Sequence, residues 1–87
     1  MEDRILLRVL TPNGTALEQK VSYVNLPVPE GSVGVLAGHA PMLCAVGAGR
    51  LKYRFEGGEG LVSVSDGVAR VEKNELTVLV KEARIEG

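Results

Sequence analysis

The sequence predicts an all-β domain, an antiparallel sandwich or flattened barrel of about ten short strands joined by hairpins. Three observations predict it. Among 87 residues, valine (13) and leucine (11) dominate the apolar set, and branched side chains suit a pleated surface. Eleven glycines and 4 prolines recur as turn signals, at intervals of roughly 7 to 12 residues. No window of about 11 or more residues carries a helical period.

Residues 5–11 alternate Ile5, Leu7 and Val9 with Leu6, Arg8 and Leu10, a strand with one apolar and one mixed face. Pro12, Asn13 and Gly14 stop it, and residues 16–19 return as a second strand. Over 21–26 the apolar positions Val21, Tyr23, Val24 and Leu26 break period two, which points to a bulge or to burial on both faces. Residues 27–38 read as a long loop, bracketed by Pro27 and Pro29, with one extended piece at Val35 and Leu36. Residues 42–46 form an apolar strand. Residues 50–55 set Leu51, Tyr53 and Phe55 against Arg50, Lys52 and Arg54, the pattern of a half-buried strand. After Gly57 and Gly58 comes a strand over 60–65, and Asp66-Gly67 is the strongest hairpin signal because both turn positions favour positive φ. Residues 68–72 follow, and Lys73-Asn74 closes a hairpin into 76–80, where Leu76, Val78 and Val80 share a face. Residues 82–87 carry little pattern.

The length is that of one domain with a modest core. With Lys plus Arg at 10 and Asp plus Glu at 11, no global basic field attracts nucleic acid or anionic lipid. One cysteine, Cys44, excludes an internal disulfide framework. No 18-residue apolar run occurs, and Glu2, Asp3, Arg4 and Arg8 interrupt the N-terminus, so no direct membrane insertion and no secretory signal are expected.

Catalytic chemistry is hard to assemble from these residues. His39 is the only histidine, with only Cys44 near it as a second zinc ligand, and Cys44 reads as a buried apolar-run residue. The glycines at 47 and 49 and over 34–38 lack the rest of a phosphate-binding motif. No catalytic residue, metal or cofactor is expected. Arg50, Lys52 and Arg54 with Tyr53 and Phe55 suggest a nucleic-acid platform on an OB-like barrel, but the alternation turns rings and cations to opposite faces. Lys73 at a hairpin tip suggests a lipoyl- or biotin-type carrier, but its flanks lack the motif of those domains. A binding or structural module remains, with the glycine- and proline-rich residues 30–43 as its candidate surface.

Residues 34–43, Gly-Val-Leu-Ala-Gly-His-Ala-Pro-Met-Leu, resemble the Gly-Val-Leu-Pro-Gly-His-Ala-Pro-Leu-Leu signature of the epsilon subunit of rotary F-type ATP synthases, in its N-terminal β-sandwich domain. Residues 7–14 resemble the family's opening strand and turn, and 64–71, Asn74 and 76–79 resemble its second signature. The resemblance implies a non-catalytic rotor subunit that clamps gamma to the membrane c ring. It would be peripheral, on the cytoplasmic side of a bacterial inner membrane. It implies a c-ring-facing loop of Pro29, Glu30, Gly31, Ser32 and His39, and a gamma-facing surface of Thr11, Met42, Leu43, Cys44 and Ala45. An acidic residue frequent in the family at position 32 is absent, so charge pairing with the ring would fall to Glu30. Leu43 lies on an apolar strand, and an aspartate there is expected to unfold the domain or abolish gamma binding. Residues 1–83 are expected to form the sandwich and 84–87 a short tail where the family's two-helix domain would begin.

Overall fold

A computed structural model describes residues 4–87; Glu2 and Asp3 of the charged N-terminus lie outside them. Ten strands follow in order: β1 (Ile5–Thr11), β2 (Gly14–Val21), β3 (Tyr23–Val28), β4 (Gly31–Leu36), β5 (Met42–Val46), β6 (Gly49–Phe55), β7 (Gly58–Val64), β8 (Gly67–Glu72), β9 (Glu75–Val80) and β10 (Ala83–Ile85). They make two five-stranded sheets, in the orders β2-β1-β9-β8-β5 and β10-β7-β6-β3-β4. All the pairings are antiparallel except β1 with β9, where Leu6 to Leu10 run beside Glu75 to Leu79.

The strands bury alternate side chains, as period two requires. Ile5, Leu7 and Val9 of β1 and Leu76, Val78 and Val80 of β9 meet Val24, Leu26, Leu51, Tyr53, Val62 and Val64 of the other sheet. Every one of these is at most 6% exposed, and no charged or polar residue is buried among the described residues.

Four local expectations are corrected. The irregular apolar pattern over 21–26 is not a bulge: Val21 ends β2 in one sheet, Ser22 turns the chain, and Val24 and Leu26 open a regular strand in the other. The bulge lies earlier, where pairing shifts from Val9 opposite Leu17 to Leu10 opposite Thr15. The long loop over 27–38 is mostly a hairpin, with Pro27 opposite Ser32 and Val28 opposite Gly31. Proline is tolerated there because β3 pairs with β6 only at Tyr23, Val24 and Asn25, which leaves one side of Pro27 without a ladder to serve. Residues 82–87 are not patternless either, since Ala83, Arg84 and Ile85 pair with Val64, Ser63 and Val62.

Asp66-Gly67 is the fourth. It joins β7 of one sheet to β8 of the other and so closes no hairpin. Gly67 has no positive φ; a Cβ there would collide with the Leu79 carbonyl oxygen and lie 3.0 Å from the Val80 Cα. Its glycine serves close backbone approach, not turn geometry. The hairpin with both turn residues at positive φ is Lys73-Asn74, at 51° and 63°, between Glu72 and Glu75.

The turns fall at two ends of the sandwich. At one end lie Ser22, residues 37–41, Glu56-Gly57 and Lys73-Asn74. At the other lie Pro12-Asn13, Pro29-Glu30, Gly47-Ala48, residues 65–66 and 81–82.

Candidate functional site

The outer face of the first sheet is built by the residues out of phase with the core. Register sets them in rows. Ala45 of β5 faces Val68 of β8, Val68 faces Leu79 of β9, and Leu79 lies beside Leu10 of β1. Leu43, two residues before Ala45, stands in the next row, opposite Arg70, and adjoins this one at its β5 end. The next row mixes Arg70 and Thr77 with Arg8 and Glu18, the last two paired at 3.1 Å. The third row sets Glu72 opposite Glu75, with Leu6 and then Lys20 beyond. Apolarity thus concentrates at the Thr11 end of the face.

That row is open. Leu79 is 48% exposed and Val68 46%, with Leu43 of the adjoining row at 74%, and the Cβ atoms of neighbours in one row of a sheet lie within about 5.5 Å of each other. A contiguous apolar strip on a small protein's surface is the mark of a protein-docking site, whereas single exposed apolar residues are ordinary.

The expected gamma-facing residues divide across this geometry. Leu43 and Ala45 point outward, whereas Met42 and Cys44 pack against the core from the inner side of β5. Partial burial pushes the Cys44 thiol up from its ordinary value, and the Glu30 carboxylate pushes the same way. Cys44 therefore stays a protonated packing residue. Thr11 borders the row beside Leu10 and shapes the adjoining turn: its Oγ1 accepts the Asn13 N–H at 3.2 Å and donates to the Gly14 carbonyl at 3.3 Å. Leu10, Val68 and Leu79 are the members that sequence reasoning missed.

The expected c-ring-facing residues divide too. Pro29, Glu30 and Gly31 form the exposed β3–β4 turn, followed by Ser32. His39 lies beyond the other end of the six-residue β4, a distance of about 20 Å along the strand. There it is half-buried; its N–H donates to the Leu36 carbonyl at 3.1 Å, and its Nδ1 lies 2.7 Å from the Ala40 carbonyl. Gly38, at φ 83°, supplies the positive φ of this turn. Ala37 precedes it where the resembled signature carries proline.

The outer face of the second sheet is different in character. Arg50 pairs with Glu86 at 3.5 Å and Arg54 with Glu59 at 3.3 Å, while the Arg54 guanidinium stands 6.0 Å from the Tyr23 ring centre. Of the three cations that suggest a nucleic-acid platform on this strand, Arg50 and Arg54 are thus already matched by carboxylates.

Comparison with known proteins decides the family. Residues 4–86 match the family described as ATP synthase, delta/epsilon chain, β-sandwich domain. The chain belongs to this family. The epsilon chain of Lawsonia intracellularis is 37% identical over 83 residues, 95% of this chain and 62% of the relative. That of a Synechococcus species is 40% identical over 79 residues, 91% of this chain and 58% of the relative. The chain thus spans about three fifths of the length of these epsilon chains. Among solved structures, a chain of the Euglena gracilis mitochondrial ATP synthase, in an assembly of OSCP, F1 and c-ring, superimposes with a TM-score of 0.89 at 26% identity. The match covers 98% of this chain and 55% of that one. A chain of the Tetrahymena thermophila mitochondrial ATP synthase shares the fold, with a TM-score of 0.77 at 20% identity over 92% of this chain and 65% of that one. The all-β sandwich expected from the sequence is therefore the fold of the delta/epsilon family.

Proposed function

We propose that this chain is the sandwich domain of an epsilon chain in the central stalk of a rotary ATP synthase, a non-catalytic coupler that holds gamma on one surface and the c ring on another. The complex would sit on the cytoplasmic side of a bacterial inner membrane. The observation that carries this reading is the open apolar row of Leu10, Val68, Leu79 and Ala45 with Leu43 beside it, on a domain of the ATP synthase delta/epsilon family. Such a row suits a permanent protein partner, because an apolar strip bordered by polar and charged residues is the anatomy of a stable interface. The sandwich beneath it is stiff, with the two sheets locked through one continuous apolar core, as transmission of torque requires.

Gamma is assigned to the apolar row and the c ring to the Pro29-Glu30 turn at the Thr11 end. His39, at the opposite end, leaves the ring-facing set under this reading. Sedimentation velocity with purified gamma tests the assignment: a saturable one-to-one complex supports it, and no complex at tens of micromolar overturns it.

Charge contributes little to the ring contact. Glu30 is exposed and makes no ion pair among the described residues, and a rim carboxylate of this kind is worth about 0 to 1 kcal/mol. Glu30→Ala should weaken assembly with the c ring by no more than about fivefold, measured by titrating the gamma–epsilon pair onto detergent-solubilised rings. A loss beyond a hundredfold with normal folding would contradict it.

A further inference from the structure

Asn74 ties together three segments that are far apart in sequence. Its side-chain carbonyl accepts the Gly38 N–H at 2.9 Å, and its side-chain amide donates to the Arg4 carbonyl at 2.7 Å. Its backbone carbonyl accepts the Leu6 N–H at 3.0 Å. The partners fix the amide orientation, since a backbone N–H can only donate and a carbonyl can only accept. The residue is held at φ 63°, a conformation asparagine tolerates better than most side chains.

What Asn74 grips is the middle of residues 37–41, the crossing from β4 of the second sheet to β5 of the first. β5 is an edge strand, paired on one side only with β8. Its start is anchored by this crossing, and Leu43 is its second residue. Within the crossing, the Leu36–His39 turn closes locally, and among the described residues the bond from Gly38 to Asn74 is the hydrogen bond that fastens residues 37–41 to the first sheet ahead of the β5–β8 ladder.

We propose that Asn74 is the positioning residue that fixes the crossing and thereby the aim of Leu43 at the docking face. The inference rests on the gamma-docking reading of that face. Losing the Asn74 clasp frees residues 37–41 and the first residues of β5, while the core beneath remains packed.

Two substitutions separate the clasp from general stability. Asn74→Gly keeps the positive φ and removes both side-chain bonds. Asn74→Asp keeps an acceptor for Gly38 and removes the donor to Arg4. In Asn74→Gly the Gly38 amide should exchange about five- to tenfold faster, the effect of one ordinary hydrogen bond, and affinity for gamma should fall by a similar factor. In Asn74→Asp, protection of Gly38 should persist and gamma affinity should stay near that of the parent. Unchanged Gly38 exchange in Asn74→Gly, or unchanged gamma affinity despite a deprotected Gly38, would overturn the proposal, as would loss of Gly38 protection in Asn74→Asp. Failure of the parent chain itself to bind gamma would instead remove the docking reading, and with it the aiming role, whatever Gly38 does.

Discussion

Gly67→Ala should unfold the domain or lower its melting temperature by more than about 12 °C, the shift expected when a domain of this size loses about 3 kcal/mol. The cause is backbone collision. A Cβ on Gly67 would fall on the Leu79 carbonyl oxygen and 3.0 Å from both the Leu79 carbonyl carbon and the Val80 Cα. No side chain can rotate away to relieve it, so β8 would have to separate from β9 at the point where Gly67 faces Val80. Because φ at Gly67 is not positive, Gly67→Asn should be as damaging as alanine, whereas an asparagine would serve if turn conformation were the need. Gly58→Ala is the control: its Cβ would meet the Phe55 ring at 3.6 Å, ordinary contact, and it should shift the melting curve only slightly. A Gly67→Ala protein that melts with the parent would refute the close approach.

Leu43→Asp should fold normally and bind gamma at least about thirtyfold more weakly, the loss expected when a charge replaces an apolar hot-spot side chain at an interface. The expectation that it unfolds the domain does not hold, because Leu43 is 74% exposed and points away from the core. Its pairing partner Arg70 even offers the new carboxylate a cation. Thermal melting and gamma titration on the same preparation read the two quantities together. A destabilised Leu43→Asp would mean the side chain is buried in the isolated domain. Unimpaired binding would move the interface elsewhere.

Much of the fold is legible in the residues themselves. The alternation of Ile5, Leu7 and Val9, of Leu51, Tyr53 and Phe55, and of Leu76, Val78 and Val80 assigns inner faces correctly because period two is a local property of a strand. Lys73-Asn74 is legible as a hairpin for the same reason. What fails is anything decided by which strand lies beside which. Asp66-Gly67 reads as a hairpin because its turn chemistry is right, but β7 lies between β10 and β6 in one sheet and β8 between β9 and β5 in the other. Val21 and Tyr23 look like one irregular strand because the change of sheet at Ser22 leaves no local mark.

The docking face is illegible on the same grounds. Leu10 and Leu79 are neighbours only through the parallel pairing of β1 with β9, across nearly the whole chain. Each looks alone like an ordinary exposed leucine. A clue was present in Leu79 itself, an apolar residue opposite in phase to Leu76, Val78 and Val80, but it names no partner. For Leu43 and Ala45, the uniformly apolar composition of 42–46 hid an inward and an outward set that only packing of one face of β5 on the core separates.

Methyl NMR of the isotopically labelled domain, titrated with unlabelled gamma, tests the docking face most directly. Val68 and Leu79, with Leu43 and Leu10, should shift or broaden together. Leu36, Leu61 and Ile85, on the second sheet, should stay in place. Perturbation confined to the second-sheet methyls, or none in either set at saturating gamma, would contradict the assignment of the apolar row.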